Sequence, residues 1–421
     1  MKNSSQINLM GNENSREQLA NAPDVTGEDI EHRDFQQTKY KHMEDVGNDL
    51  FGDDDDNDDE FDAKVAADPK SIRQIWQSSK VDVQSDLTKM PYNGYWLSKL
   101  PTGRAMPFHR TDHFTARYND DICYVGLGKS HNGNLINDIW QFNNITNSWT
   151  PVETKTAIPP RYGSSAAMMG RLLVIFGGGD SNKLYNDLIT VNLDDGTVAF
   201  VDTMGQRPPP MVKAPMAIYG KKVCVYGGSQ GLFILDIEHL QWRCIPKGFQ
   251  HSINDPFCTY GNKIYAIPED TEKRSFIVIN METETVSLSA EWKGSGPNRK
   301  NKFCDMICIG DYIFYFGGEH QSLVYACYLN TTWWFIFFVI PDVYQSTMTQ
   351  GKITSDGLFK IPLMHSNSVM YNSRTREISI FLGFPFHDFV PTGFLRIGDE
   401  ALNFCHLRED MTQALEFQSQ M

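Results

Sequence analysis

The chain contains residue types that can catalyse reactions or bind metals, but few of them lie at the spacings that catalytic or metal sites require. The eight cysteines include no CxxC pair, and Cys304 and Cys308 in the segment CDMIC lack a second pair at the distance expected of a zinc site. The eleven histidines are scattered, and there is no HExxH motif or glycine-rich phosphate loop. The acidic run DDDDNDDE lacks the glycine that a calcium loop needs at its bend. We therefore predict no catalytic residues, no metal site and no cofactor.

The first 65 residues differ sharply in composition from the rest of the chain. They contain 18 acidic and six basic side chains and so carry most of the net charge of −14. Such a segment cannot bury enough apolar surface to offset the entropy of ordering, and residues 1–65 are predicted to be a disordered acidic tail. The acidic run is flanked by Leu50, Phe51 and Phe61, which indicates either a short linear motif for a basic protein or a solubilising tail.

Charge and hydropathy also narrow the location and the partners. The chain shows no basic patch for nucleic acid, and the acidic tail would repel phosphates. It does not begin with a charged segment followed by an apolar one, and its most apolar run, WWFIFFVI, is far shorter than the roughly 20 residues of a membrane-spanning helix. We expect a cytoplasmic protein without a membrane span, with the nucleus as the alternative.

A strand-like apolar run that ends on glycine recurs along the chain. The segments CYVGLG, VIFGG, VCVYGG and IFYFGG end at residues 128, 178, 228 and 318, so the spacing is 50, 50 and 90 residues. Each of six units reads as three or four short apolar runs separated by polar turns, as expected of antiparallel strands. Proline precedes a basic residue between units, in PTGRAMPFHRTDH, KTAIPPRYGSS, GQRPPPMVKAP and GSGPNRKNKF. A period of about 50 residues is typical of propeller blades, and proline suits the crossover between blades.

This pattern resembles the kelch-repeat family over residues 92–407. The resemblance implies an all-β, kelch-type β-propeller, with six four-stranded blades and seven as the alternative. It also implies that the paired glycines let the chain turn sharply and leave room for an aromatic ring from a later strand, and that a tryptophan stands in the outer strand, with Phe200 in its place in the second unit. The structural repeat residues are Gly126, Gly128, Trp149, Gly177, Gly178, Gly227, Gly228, Trp242, Gly317, Gly318 and Trp334.

The segments flanking the repeats have their own patterns. The segment around Trp96 reads as a lone outer strand that completes the sixth blade. Residues 66–91 are predicted to be a linker with a short helix that Asp68 caps, and residues 408–421 a C-terminal helix or tail.

Function must be argued from the loops, because one scaffold hosts many activities. Loops between the second and third strands and the crossovers are expected on one face, where polar residues of mixed charge suit a polypeptide partner. The candidate binding residues are Arg110, His131, Asn132, Arg161, Asp180, Asn182, Lys213, Gln230, Asp270, Lys273, Glu319, His320, His387 and Asp388. The arginines could equally hydrogen-bond neighbouring carbonyls, and the loops could simply be solvated. We predict a monomeric protein-interaction scaffold or adaptor and not an enzyme; the alternatives are an actin- or cytoskeleton-associated protein and a divergent propeller enzyme.

Overall fold

A computed structural model describes residues 93–385, apart from 104, 271, 295, 342–350 and 355–357, and residues 392–398. The described residues form 28 strands and one short 3-10 turn at Gly228–Gln230, so the predicted all-β class is confirmed. The predictions for residues 1–65, 66–91 and 408–421, and for His387 and Asp388, fall outside the described residues.

The first four repeats each form an antiparallel sheet in which neighbouring strands are consecutive in the chain. The first sheet contains β2 to β5 (Phe114–Arg117, Ile122–Gly126, Ile139–Asn143, Ser148–Pro151) and the second contains β6 to β9 (Ser165–Met169, Leu172–Gly179, Leu184–Asn192, Val198–Phe200). The third contains β11 to β14 (Met216–Tyr219, Lys222–Tyr226, Leu232–Asp236, Gln241–Ile245), with β10 (Met204–Gly205) added parallel to β14. The fourth contains β15 to β18 (Phe257–Tyr260, Lys263–Ala266, Ile277–Asn280, Thr285–Leu288).

The remaining repeats share one nine-stranded sheet. It contains β19 to β23 (Lys293–Gly294, Cys304–Ile309, Tyr312–Gly317, Val324–Tyr328, Trp333–Pro341), β26 to β28 (Ser368–Asn372, Glu377–Phe381, Thr392–Ile397) and β1 (Asn93–Lys99). Strand β1 pairs antiparallel with β28 and parallel with β23. The insertion between these repeats adds a two-stranded sheet, β24 and β25 (Lys352–Ile353, Phe359–Lys360). Dividing the large sheet at the β1–β23 pair would give six blades, and that number stays a prediction.

The predicted closure by the Trp96 segment is confirmed. Trp96 lies opposite Leu395 in the β1–β28 pair and is buried. A core cluster also packs the last repeat against the first, because Phe381 lies with its ring centroid 4.2 Å from that of Phe142 and 5.4 Å from that of Trp149. The ends of the repeat region therefore meet and close a propeller.

The paired glycines serve the junction between neighbouring sheets. Gly178 has a φ of +93° and donates its N–H to the Met211 carbonyl of the next crossover at 2.9 Å, and Gly318 has a φ of +110° and donates to Met364 at 2.8 Å. A Cβ on Gly177 would lie 2.8 Å from that same Met211 oxygen. The expected turn is confirmed. At Gly177 neighbouring backbone fills the space instead of the predicted aromatic ring, whereas at Gly227 the prediction is confirmed, because a Cβ there would lie 2.8 Å from the ring of Phe233 in the following strand.

The same backbone hydrogen bond, from a glycine N–H to a carbonyl of the next crossover, occurs in the first repeat and where the last repeat meets the first. Gly128 donates to the Arg161 carbonyl at 2.8 Å, and Gly383 of the last repeat donates to the Arg110 carbonyl of the first at 3.0 Å. A left-handed backbone after the second strand thus aims an N–H at the next sheet, and glycine adopts that conformation with the least strain.

The outer-strand aromatic residues follow the prediction with one exception. Trp149, Trp242 and Trp334 are buried, and the indole N–H of Trp242 donates to Thr203 Oγ1 at 3.0 Å. Phe200 was the residue predicted for this position in the second repeat, and that prediction is wrong: Phe200 is 53% exposed. The register places Val198 there instead, opposite Val191, as Trp149 lies opposite Phe142.

Candidate protein-interaction face

The loops after the second strands and the crossovers lie together, as predicted. Isolated β-bridges join a residue of the crossover to a residue at or after the end of the second strand: Thr111 to Lys129, Tyr162 to Gly179, and His251 to Pro268. We call the surface formed by these loops and crossovers the loop face, and the opposite end, which carries the hairpins within each repeat, the hairpin face. The loop face brings together polar side chains from repeats far apart in sequence.

Arg110 and Arg161 lie under this face and not on it. Both side chains are buried, and each is paired with an aspartate of its own repeat: Arg110 with Asp138, just before β4, and Arg161 with Asp187, within β8, at 2.7 Å. Each also donates to the carbonyl at the end of the second strand, Arg110 at 3.3 Å and Arg161 at 3.1 Å. The structure thus shows the carbonyl-bonding alternative that the sequence left open, and a role of these two buried arginines in partner binding stays a prediction.

A charged cluster surrounds Asp112 on the crossover into the first repeat. Its carboxylate lies 2.6 Å from Lys213 Nζ and 3.5 Å from Lys129 Nζ. Burial alone would raise the pKa of Asp112, but the two ammonium groups outweigh it and hold that pKa below its ordinary value. Lys129 also lies 3.6 Å from the ring centroid of Tyr162, and Lys213 lies 5.3 Å from that of Phe303. Lys213 is thus bound within a cluster that joins three repeats.

The other predicted binding residues lie on the loops of this face. Asp180 is half-buried because its carboxylate accepts the N–H groups of Asn182 and Lys183 and the Tyr185 hydroxyl, a pattern that shapes its own loop. The remaining described candidates are exposed: His131, Asn132, Asn182, Gln230, Asp270, Lys273, Glu319 and His320. Together they form a polar rim around the loop face.

The sequence analysis missed the exposed apolar residues on this face. Phe108 is 81% exposed on the crossover that leads to Arg110, and Ile253 is 53% exposed on the crossover into the fourth repeat. Both lie in irregular segments, where periodicity gives no signal. Their position beside the conspicuous crossover prolines and basic residues is the feature that could have drawn attention to them.

One further motif invites a catalytic interpretation that the contacts do not support. The segment Gly227–Gly231, GGSQG, matches the GxSxG spacing of hydrolase nucleophiles, and Ser229 lies on the 3-10 turn. Its hydroxyl donates to Gln250 Oε1 at 2.9 Å, and among the described hydrogen bonds no histidine contacts it. A serine nucleophile requires such a base within reach.

The cysteines behave as core residues. Cys304 and Cys308 are buried, and burial raises the pKa of the Cys304 thiol to about 12. Across the described part of the chain, no group of three or more His, Cys, Asp or Glu side chains could hold a metal ion. No helix in that same part is long and apolar enough to cross a membrane.

Comparison with known proteins agrees with this architecture. A family model described as the KLHDC2/KLHL20/DRC7 Kelch-repeats domain matches residues 76–267. Acyl-CoA-binding domain-containing protein 4 of Arabidopsis thaliana is 32% identical over 56% of this chain and 36% of its own length. The leucine-zipper-like transcriptional regulator 1 homolog of Drosophila melanogaster is 28% identical over 35% of this chain and 16% of its own length. Tip elongation aberrant protein 1 of Schizosaccharomyces pombe is 26% identical over 41% of this chain and 16% of its own length. The chain thus spans about a third or less of the length of these relatives. Its sheets form a β-propeller, and residues 76–267 of the chain match the kelch-repeat domain.

Proposed function

We propose that this protein is an interaction scaffold that binds a polypeptide partner through the loop face. The observation that carries the proposal is the pair of exposed apolar side chains, Phe108 and Ile253, set among exposed polar and charged loops. Protein interfaces obtain most of their binding energy from a few such anchors inside a polar rim. The kelch-repeat fold supports a protein-interaction role in general; the particular face and the anchors are the parts proposed here.

The rim residues would contribute specificity more than affinity. Exposed charges such as Asp270, Lys273 and Glu319 interact weakly with a partner because water screens them, but they select a partner of matching charge. Lys213 and Asp112 neutralise each other, so their cluster supports the floor of the face and leaves recognition to its surroundings.

The test is affinity purification with quantitative mass spectrometry, run on the full chain and on two matched double variants. Phe108→Asp with Ile253→Asp places charge on the loop face. Ile145→Asp with Phe200→Asp places the same charge at apolar residues that are 51% and 53% exposed and lie away from the loops. Partners lost from the first variant and retained by the second support the proposal. Partners retained by both, or lost equally from both, contradict it.

We further propose that the acidic tail, residues 1–65, makes a second, electrostatic contact with the partner. Its charge favours a basic surface, and such a contact weakens as salt screens it. A chain lacking residues 1–65 should bind the same partner more weakly and with a smaller dependence on salt. An unchanged affinity and salt dependence would leave the loop face as the whole contact.

A further inference from the structure

A cavity of about 470 Å³ runs along the axis of the propeller. The first strands of the repeats line it, and it reaches the exposed residue Ile253 at the loop face and the exposed residue Thr259 at the other end. Its size falls in the range of small-molecule sites, about 300–1,000 Å³. Much of its wall is apolar and sulfur-containing, with the side chains of Met216, Met306 and Met370 among those that line it.

The charged groups that line this cavity are nearly all paired. Asp112 is paired with Lys213 at 2.6 Å, Asp255 with Lys302 at 3.1 Å, and Arg117 with Asp120. His113 also lines the cavity, but burial lowers its pKa to about 3, so it is neutral.

Asp305 is the exception. It lines the cavity on β20, is only 7% exposed, and has no ion pair among the described residues. Its described hydrogen-bond partner is the neutral residue Asn367, whose Nδ2 donates to Oδ2 at 2.7 Å and whose backbone N–H also donates to the carboxylate. A buried ionised carboxylate without a cation is strongly unfavourable. A bound cation would therefore stabilise the ionised form of Asp305.

We propose that the axial cavity binds a cationic group, an ammonium or a guanidinium, carried on an apolar body, with the Asp305 carboxylate as its counter-ion. The carboxylate would supply a charge-assisted hydrogen bond, and the burial of Asp305 strengthens such a bond. The methionine-rich wall supplies apolar surface for the rest of the ligand. A free organic amine and a lysine or arginine side chain of a bound polypeptide share this chemistry, and both could reach Asp305.

The experiment uses the full chain at pH 8 and measures dissociation constants by ligand-observed NMR. The first probe pair is benzylamine with benzyl alcohol, which has the same shape without the charge. The second is an acetylated, amidated Gly-Gly-Lys-Gly-Gly peptide with the same peptide carrying norleucine. Each pair is measured on the natural chain, on Asp305→Asn, which keeps the shape and the Asn367 bond, and on Asp311→Asn, which removes an exposed carboxylate from the turn between β20 and β21 of the same repeat.

We expect at least one cationic probe to bind the natural chain at least tenfold more tightly than its neutral partner. Asp305→Asn should abolish this preference, and Asp311→Asn should keep it. Preference confined to benzylamine indicates a free amine, and preference confined to the lysine peptide indicates a polypeptide side chain. The proposal is overturned if neither cation is preferred, if Asp305→Asn keeps the preference, or if Asp311→Asn removes it. These outcomes are independent of the loop-face variants, which leave Asp305 unchanged.

Discussion

Replacing Asp305 with asparagine should stabilise the protein, and more so at higher pH. Burial raises the pKa of Asp305 from its ordinary value of 3.8 to about 7, and the side-chain and backbone hydrogen bonds from Asn367 only partly oppose this. In the folded protein the carboxyl therefore keeps its proton to near neutrality, whereas in the unfolded chain it loses it near pH 4. The folded state binds more protons in this window, so the contribution of Asp305 to stability falls as pH rises from about 4 to about 7 and is constant above that.

The magnitude follows from the size of the shift. One pKa unit corresponds to about 1.4 kcal/mol, so the full cost of Asp305 is on the order of 4 kcal/mol above pH 7. Asparagine has no proton to lose and keeps the acceptor for the Asn367 amide. The stability advantage of Asp305→Asn over the natural chain should thus grow by about 2.5 kcal/mol between pH 5 and pH 8.

The assay is urea denaturation of both proteins at pH 5, 6, 7 and 8, followed by tryptophan fluorescence. Burial also lowers the pKa values of His113, His251 and His365, but these groups titrate in both proteins and cancel in the difference. Asp311→Asn, at an exposed aspartate, serves as the control and should change stability by less than about 0.5 kcal/mol at every pH. A difference between Asp305→Asn and the natural chain that stays flat from pH 5 to pH 8 would refute the reasoning.

Three further predictions concern the repeat residues and are measured by denaturation at pH 7. Gly178→Ala should cost about 2–4 kcal/mol, because its φ is +93° and a Cβ would collide with Ser164 and Tyr162 on the crossover into the same repeat, whereas Gly170→Ala, at +57° with open space, should cost about 1 kcal/mol; equal losses would contradict this reasoning. Arg161→Met should cost about 3 kcal/mol because it breaks a buried ion pair, and a loss under 1 kcal/mol would contradict that pairing. Trp149→Ala should cost about 3–5 kcal/mol of stability and Phe200→Ala less than about 1 kcal/mol, since only the tryptophan is buried. A large loss of stability in Phe200→Ala would contradict this, because it would mean that Phe200 packs in the core.

Local patterns in the sequence were sufficient to identify the strands and their repeat. Apolar runs that end on glycine became second strands, and the prolines between units became crossovers, because strand alternation and proline geometry are properties of a few neighbouring residues. The closing strand around Trp96 was also predictable, since a lone outer strand before the first crossover has few places to pair. The same reasoning gave the loop face, because hairpin connectivity fixes which ends of the strands meet.

Positions that depend on register or on neighbouring sheets were not predictable in this way. Phe200 and Val198 differ by two residues, so both point to the same side of β9, and only the pairing with β8 shows which of them takes the position that Trp149 occupies in the first repeat. Arg161 looked like a recognition residue because arginine is usually exposed, yet its aspartate lies 26 residues away and is brought beside it by the fold.

The sequence by itself thus determined the all-β class, the repeat, the crossovers and the acidic composition of the first 65 residues, since these follow from local periodicity and charge. Tertiary structure alone decided which polar residues are exposed and which are buried. Closing the sheets into a ring buried Arg110 and Arg161 beside their aspartates, left Phe108 and Ile253 in solvent, and enclosed Asp305 with no ion pair among the described residues. The physical reason is that exposure and charge pairing depend on contacts between residues far apart in the chain. Such contacts produce no regular spacing of residue types in the sequence.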